Sequence, residues 1–463
     1  MVSNPFISST GETSQRFNCT IGVRQGENLS PILFSLFLND LEDFLQNKID
    51  GINVNDEVAV LLKLFILLYA DDTVIFSDNK TDLQNSLNYF KEYCDKWRLN
   101  INVTKTKIMI IGKGRIPRNL EFNIGEENVE IVEGYKYLGV LLSRTGSFIK
   151  AKKSIAEQAS KAMFSILRKA KTLSLPLDIQ IELFEKTIKP ILLYACEIWG
   201  LGNVDVLERV QLKFFKYIFK SKKSTPSYMI YGELGLTPLT VDIQARTISY
   251  WTRIIDDIQS NSTSIKLSSK MYQLLFNMHQ RTPSDVPWIN NVKNIICYTG
   301  FPGIWQTQSY LNSTWFKKAS HLKLKDMYIQ KWHEEVNRSS DTNMYKHVKT
   351  SFGRSNYINV LPRTNCITLF SFLTRNHRFP VELGRWQNIP HNERKCTSCN
   401  LLGDEYHFLM ECKNYINLRK KYLPPYYNSN PNFVKFIELL NTDHYIKLLN
   451  LSILINQIMK NST

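Results

Sequence analysis

The residues best placed to do chemistry in this 463-residue chain are two adjacent aspartates, Asp71 and Asp72, in the run Leu68-Tyr69-Ala70-Asp71-Asp72-Thr73. Residues 64–69 before them and 74–76 after them are apolar. Both runs read as buried strands, and the short gap between them implies a tight hairpin with the carboxylates at its tip. Like charges side by side are costly unless a cation neutralises them, and paired carboxylates are ligands that Mg²⁺ takes. Sites holding two such ions drive phosphoryl transfer. The same dipeptide is common in solvated turns that bind nothing, so the pair alone leaves both readings open.

A second constellation lies near the end of the chain: Cys396, Cys399, His407 and Cys412, spaced x2, x7 and x4. Three thiolates and an imidazole complete a tetrahedral Zn²⁺ shell, and four protein ligands leave no open position, so the expected role is structural. The competing reading is a set of buried thiols around a packed histidine. Half of the eight cysteines, Cys366 included, fall in the last hundred residues, and no disulfide framework is visible, so a reducing, intracellular setting is expected. Arg385, Arg394, Lys395, Lys413, Arg419, Lys420 and Lys421 surround the cluster and would present cations to nucleic acid. Trp386, Tyr406, Phe408 and Tyr415 read mostly as core, with one or two free to stack on bases.

The net charge of +16 is unevenly spread: residues 1–100 hold 8 Lys/Arg and 14 Asp/Glu, and the other 363 residues carry a net +22. A cationic body joined to an acidic edge suits a protein that handles nucleic acid, although a merely Lys-rich soluble chain would also be basic. The N-terminus lacks the features of a signal peptide. The longest apolar run, 58–70, contains Lys63, is too short to span a bilayer, and reads as a central strand. No membrane association is expected.

The elements that must position these groups are legible as patterns. Ser30-Pro31 reads as a helix start with Ser as N-cap, followed by a buried face of Leu33, Phe37, Leu41 and Phe44/Leu45. Thr81-x-x-Gln84 reads as a capping box that opens a helix with Leu83, Leu87, Phe90, Cys94 and Trp97 in the core. With a strand near 108–111, these pieces make a helix-backed antiparallel sheet. From about residue 150, Lys152, Lys153, Lys161, Arg168, Lys169 and Lys171 alternate with Ile155, Ala159, Met163 and Ile166/Leu167. That is an amphipathic helix whose basic face either tracks phosphates or is simply solvated. Residues 256–360 read as helical and carry no motif, and His321, His333 and His347 read as surface or packing residues.

Four segments carry a family resemblance when taken in order. They are Gly22-Val23-Arg24-Gln25-Gly26 with Leu29-Ser30-Pro31, Tyr69-Ala70-Asp71-Asp72, Leu99-Asn100-Ile101-Asn102 with Lys105-Thr106-Lys107, and Tyr135-Lys136-Tyr137-Leu138-Gly139-Val140. Residues 22–140 thereby resemble the later part of a reverse transcriptase from a jockey-like non-LTR retrotransposon. Two further segments, 188–200 and 231–235, also resemble the family and read as structural because they hold few reactive groups.

The resemblance implies an α+β fold: a partial palm with the Y-A-D-D hairpin over 1–112, a primer-grip hairpin region over 113–148, and a helical thumb over 149–255. A helical connector (256–360), a CCHC zinc-knuckle region (361–425) and a helical tail (426–463) would follow. It also implies that Asp71 and Asp72 help hold Mg²⁺. Lys105 would offset charge on the leaving phosphates. Arg24, Gln25, Gly26, Tyr69, Tyr137, Leu138 and Gly139 would contact template and primer. The implied partners are RNA, DNA and, once the site is completed upstream, deoxynucleoside triphosphates. The oligomeric state stays open.

One part of the family pattern is missing. The first metal-binding aspartate normally lies well before the G-V-R-Q-G segment, but the 21 residues preceding Gly22 contain no Asp, and Glu12 is their one acidic residue. The expectation is a C-terminal portion of such a polymerase that binds an RNA/DNA primer–template and is inactive alone. The alternatives are a non-catalytic nucleic-acid-binding protein and an unselected relic of a mobile element. No nuclease constellation follows the cysteine cluster.

Overall fold

A computed structural model describes residues 8–9, 12–13, 28–46, 48–49, 51–55, 61–64, 66–112, 114–117, 119–260, 265–282, 286–338 and 343–461. Arg24, Gln25 and Gly26 lie outside these described residues. The fold is α+β, rich in helix with short antiparallel ribbons. It divides into two units, the first comprising residues 1–137, 142–147 and 264–281, the second 138–141, 148–263 and 282–463.

The first unit is organised by the helix Lys80–Lys96. Its N-cap is Asn79, whose side chain accepts the Asp82 N–H at 2.9 Å, so the helix starts just ahead of the expected capping box at Thr81. One face packs Tyr93 against Leu41, Leu45 and Ile49, and another packs Leu87 against Ile108, Phe122, Ile124 and Val129. Gln84 pairs with the backbone of Asn123 on both sides, through Nε2 to its carbonyl at 2.8 Å and Oε1 from its N–H at 3.0 Å.

The strands depart from the expected single sheet. Ile52–Asn55 pairs with Leu61–Leu64, and Ile66–Tyr69 pairs with Asp72–Ile75, each a two-stranded antiparallel ribbon among the described residues. The run 58–70 is therefore not one central strand, because its two halves pair with different partners. Nor is the second ribbon buried throughout: Leu68 and Tyr69 are 41% and 61% exposed. The strand expected over 108–111 reduces to one parallel bridge, Ile108 to Ile131, because the chain then turns outward and leaves Ile111 72% exposed.

The helical face expected from Leu33 to Leu45 is also split. Helix Ser30–Phe37 has Leu29, not Ser30, at its N-cap, and ends before a second helix, Leu41–Gln46. Leu41 and Leu45 are buried, whereas Leu33 and Phe37 are 40% and 41% exposed.

The second unit is helical and holds the main core. Helix Ile149–Thr172 buries Ile155, Ala159, Met163 and Leu167, the stripe its period specifies. These belong to the same buried cluster as Phe184, Phe214 and Phe215 and as Leu451 and Ile455 of the C-terminal helix Tyr445–Asn461. A π-turn, Phe184–Ile188, precedes Lys189-Pro190, where the proline cannot donate to a regular helical ladder. Residues 256–360 form mainly helices, among them Ser313–Arg338, which buries Trp332 against Met229 and Tyr345. His333 packs on Trp332, His347 packs on Phe433, and His321 is exposed. Among the described residues no helix is long and apolar enough to cross a membrane.

Candidate functional site

In the Ile66–Tyr69/Asp72–Ile75 hairpin, Tyr69 stands opposite Asp72, so Ala70 and Asp71 are the whole turn. Ala70 has φ of 53°, in the left-handed region that a hairpin's first turn position normally gives to glycine. A side chain held there costs about 1–3 kcal/mol and marks a point where the chain is over-determined. The turn sets Asp71 and Asp72 side by side, both exposed. Among the described residues no third ligating side chain gathers with them. A bridged pair of Mg²⁺ ions needs a further carboxylate from a facing element, so the groups described do not make a two-metal site.

Lys105 sits in a turn fixed by Asn102, whose Oδ1 accepts the Lys105 N–H at 3.1 Å and the Thr104 hydroxyl at 2.7 Å. Lys105 is exposed, while its neighbour Lys107 is tied to Glu130 at 2.8 Å. The strands Gly134–Tyr137 and Val140–Ser143 form a hairpin whose turn is Leu138-Gly139. Both turn residues have positive φ, 44° and 83°, the pattern that matches strand twist in a two-residue hairpin. Burial pushes the Tyr137 hydroxyl up, and the charge of Asp72 adds to the rise, so this tyrosine senses the acidic turn. Tyr69 is the most exposed of the tyrosines assigned to the site.

The sequence reading missed the residues that brace these turns. Arg144 donates from Nη2 to the Gly114 carbonyl at 2.7 Å and from Nε to that of Ile110 at 3.3 Å. Tyr194 donates its hydroxyl to the Leu138 carbonyl at 2.8 Å. The segment 231–235 also holds more polar chemistry than expected: Glu233, 1% exposed, accepts the Tyr357 hydroxyl at 2.7 Å. Tyr231 donates to Glu208 at 2.9 Å, and burial pushes the Glu208 carboxyl up. A glutamate inside an apolar run was the available signal.

The cysteine cluster comes together. One ligand atom from each of Cys396, Cys399, His407 and Cys412 lies within 4.8 Å of the others. Cys412 Sγ is 3.9 Å from Cys396 Sγ and 3.8 Å from Cys399 Sγ. Thiolates at tetrahedral corners about 2.3 Å from zinc would be about 3.8 Å apart. His407 is 2% exposed, and neither ring nitrogen has a hydrogen-bond partner. Glu411 is 3.7 Å from Nδ1, beyond hydrogen-bond length. A buried imidazole with two orphaned nitrogens beside three thiols fits a metal centre better than a packed histidine.

Local structure builds this cluster. Cys396 donates its N–H to the Leu401 carbonyl at 2.8 Å, closing a knuckle, and Asp404 accepts the His407 N–H at 2.8 Å, starting the π-turn His407–Glu411. The Lys413 N–H favours the Cys399 thiolate and lowers its pKa, whereas burial raises Cys412 to about 12. Behind the knuckle, Glu405 accepts from His377 at 2.8 Å, and Arg375 pairs with Glu382 at 2.5 Å. The surrounding cations are not all on the surface. Arg385, Lys395, Lys413, Lys420 and Lys421 are exposed, but Arg394 is half-buried on the Ile389 and Val381 carbonyls. Arg419 is 5% exposed, and its burial lowers the guanidinium pKa while the charges of Cys412, Cys399 and Glu411 oppose that shift. Phe408 and Tyr415 are core, Tyr406 packs on Phe436, and Trp386 is 60% exposed.

On helix Ile149–Thr172, Lys153, Lys161, Arg168, Lys169 and Lys171 are exposed. Lys152 is not part of that face. It is buried and donates to the Leu201 carbonyl and, at 3.0 Å, to the Asn203 carbonyl.

Residues 2–142 match the family described as reverse transcriptase (RNA-dependent DNA polymerase). The chain is related in sequence to jockey-like non-LTR retrotransposon reverse transcriptases. It is 24% identical over 277 residues to the RNA-directed DNA polymerase from mobile element jockey of Drosophila melanogaster, covering 57% of this chain and 28% of that protein. Its Drosophila funebris counterpart is 27% identical over 220 residues, covering 45% and 22%. A retrovirus-related Pol polyprotein from type-1 retrotransposable element R2 of Popillia japonica is 24% identical over 244 residues, covering 50% and 38%. The chain spans about a quarter of the length of the first of these curated relatives.

Proposed function

We propose that this chain is a reverse-transcriptase body that holds an RNA/DNA primer–template and that these 463 residues alone do not polymerise. The observation that carries the reading is the strained Tyr69–Asp72 turn with two exposed carboxylates and no third ligand among the described residues. In this reading the first unit is a partial palm, the Leu138-Gly139 turn a primer grip and helix Ile149–Thr172 a thumb. Its exposed Lys153, Lys161, Arg168, Lys169 and Lys171 lie along the phosphate backbone. Lys105 stands ready to offset charge on a triphosphate. Arg24, Gln25 and Gly26 contact the templating pair. Mg²⁺ belongs to the completed enzyme, with Asp71 and Asp72 supplying part of its ligand set.

Zn²⁺ is held by Cys396, Cys399, His407 and Cys412 and supplies a structural cross-link. The buried Arg419 guanidinium offsets the net negative charge that three thiolates leave around one Zn²⁺.

The test is binding of the full chain to an RNA-template/DNA-primer duplex across salt concentrations. The reading requires low sequence preference and affinity that falls steeply between about 50 and 200 mM salt as counterions are released. A flat salt response overturns it.

A further inference from the structure

The segment 188–200, Ile-Lys-Pro-Ile-Leu-Leu-Tyr-Ala-Cys-Glu-Ile-Trp-Gly, has no role so far. It carries the helices Lys189–Leu192 and Cys196–Trp199 and is staked down along its length. Lys189 reaches Glu185 and Asp242, each at 3.0 Å. Arg246 donates to the Leu193 carbonyl at 3.2 Å, and Trp288 donates to the Glu197 carbonyl at 2.8 Å. Trp199, 0% exposed, donates its indole N–H to the Tyr194 carbonyl at 2.8 Å. Ala195 is held at φ 52°, which turns the chain sharply just after Tyr194.

This fixed loop leaves Tyr194 half exposed, with its hydroxyl donating to the Leu138 carbonyl at 2.8 Å. A Cβ on Gly139 would lie 3.0 Å from Tyr194 Cε1. Leu138 has φ of 44°, unfavourable for a leucine, so the turn needs an outside constraint to keep one shape. We propose that Tyr194 is a positioning residue for the primer strand: its hydroxyl ties down the Leu138 carbonyl while its ring closes over Gly139. The exposed turn then offers a single backbone conformation to the primer end. This rests on the primer-grip reading of residues 137–139. Tyr194 touches the turn, not the reacting atoms.

The experiment uses the full chain and two readouts. Hydrogen exchange follows the amides of residues 134–143. A 2-aminopurine at the primer 3′ terminus, with a control probe far upstream, follows the bound RNA/DNA duplex while anisotropy gives affinity. Tyr194→Phe is expected to speed exchange at the turn about fivefold, the factor that losing one hydrogen bond gives. It should change the 3′-terminal emission while leaving affinity and the upstream probe as in the wild type. Gly139→Ala, which sets a Cβ 3.0 Å from the tyrosine ring and strains a backbone at φ 83°, should also change the terminal signal.

Unchanged exchange in Tyr194→Phe overturns the strap. Faster exchange with an unchanged 3′ signal in both variants overturns the positioning role and leaves Tyr194 a purely structural residue. A wild-type chain that binds no duplex overturns the primer–template reading and the role with it. The exchange result then shows separately whether the strap exists.

Discussion

The Cys396–Cys412 cluster and the Asp71-Asp72 turn are both gatherings of metal-ligand side chains, and the chain treats them in opposite ways. The four thiol and imidazole donors stand within 4.8 Å of one another, and Cys396 and Cys412 belong to the same core as Phe214, Leu369 and Leu454. The two carboxylates stand exposed at the end of a two-stranded ribbon. A buried, complete donor set contributes to folding when metal binds. An exposed, partial set contributes nothing until another element or ligand arrives. Stability should therefore depend on the first group, and activity on what joins the second.

The largest effect should come from the cluster. Chelation, or Cys412→Ser, is expected to lower the thermal midpoint of the full chain by roughly 10 °C or more, because zinc-ligand bonds supply folding energy. Elemental analysis should find one Zn²⁺ per chain. A zinc-free chain with an unchanged midpoint would break the comparison on its strong side. Because the cluster shares its core with helices from 149 onward, the effect should be read on the whole chain by calorimetry.

Next is Trp199→Ala, which removes a fully buried indole and its bond to the Tyr194 carbonyl. A loss of ~3–5 kcal/mol in denaturant unfolding is expected. Lys152→Met should cost ~1–3 kcal/mol, because it leaves the Leu201 and Asn203 carbonyls without their donor. A neutral result would place Lys152 back on the solvated basic face.

Reversing Lys161, Arg168 and Lys169 to Glu tests the exposed side of the same helix. Stability should hold, while duplex affinity falls roughly tenfold and the salt slope drops by about 0.9 for each phosphate no longer neutralised. Equal slopes in variant and wild type would assign that face to solvent. Asp71→Ala should leave stability within about 0.5 kcal/mol, as an exposed residue outside any network does.

These residues also mark how far the sequence can be read. The hairpin around Asp71 is legible because two apolar runs and a four-residue gap specify it locally. The zinc-type ligands sit within one short stretch, so their spacing speaks for their geometry. The stripe Ile155, Ala159, Met163 and Leu167 follows helical period, and the core uses it. What escapes a sequence reading depends on distant partners. Lys152 falls in register with the buried stripe, three residues before Ile155, but the acceptors that hold its charge there lie at 201 and 203, and Tyr194 is bound to a residue 56 positions away. Arg419 has the sequence setting of a surface cation but is 5% exposed. Leu33 and Phe37 have the right period for a core face, but the helix ends at Phe37 and leaves them exposed. Periodicity names a face and does not say whether anything covers it.

On the reading proposed above, Asp71 and Asp72 are one part of a polymerase site. Primer extension on an RNA template with Mg²⁺ tests it most directly, comparing the 463-residue chain with its Asp71→Ala variant. Each is assayed alone and with a complementing polypeptide from a jockey-type relative that carries the facing aspartate. The account expects no difference between the two alone, and synthesis dependent on Asp71 and Asp72 once the complement is present. Complementary-DNA synthesis by the unassisted chain that Asp71→Ala abolishes would contradict it, and Glu12 would be the first carboxylate to examine as the missing ligand.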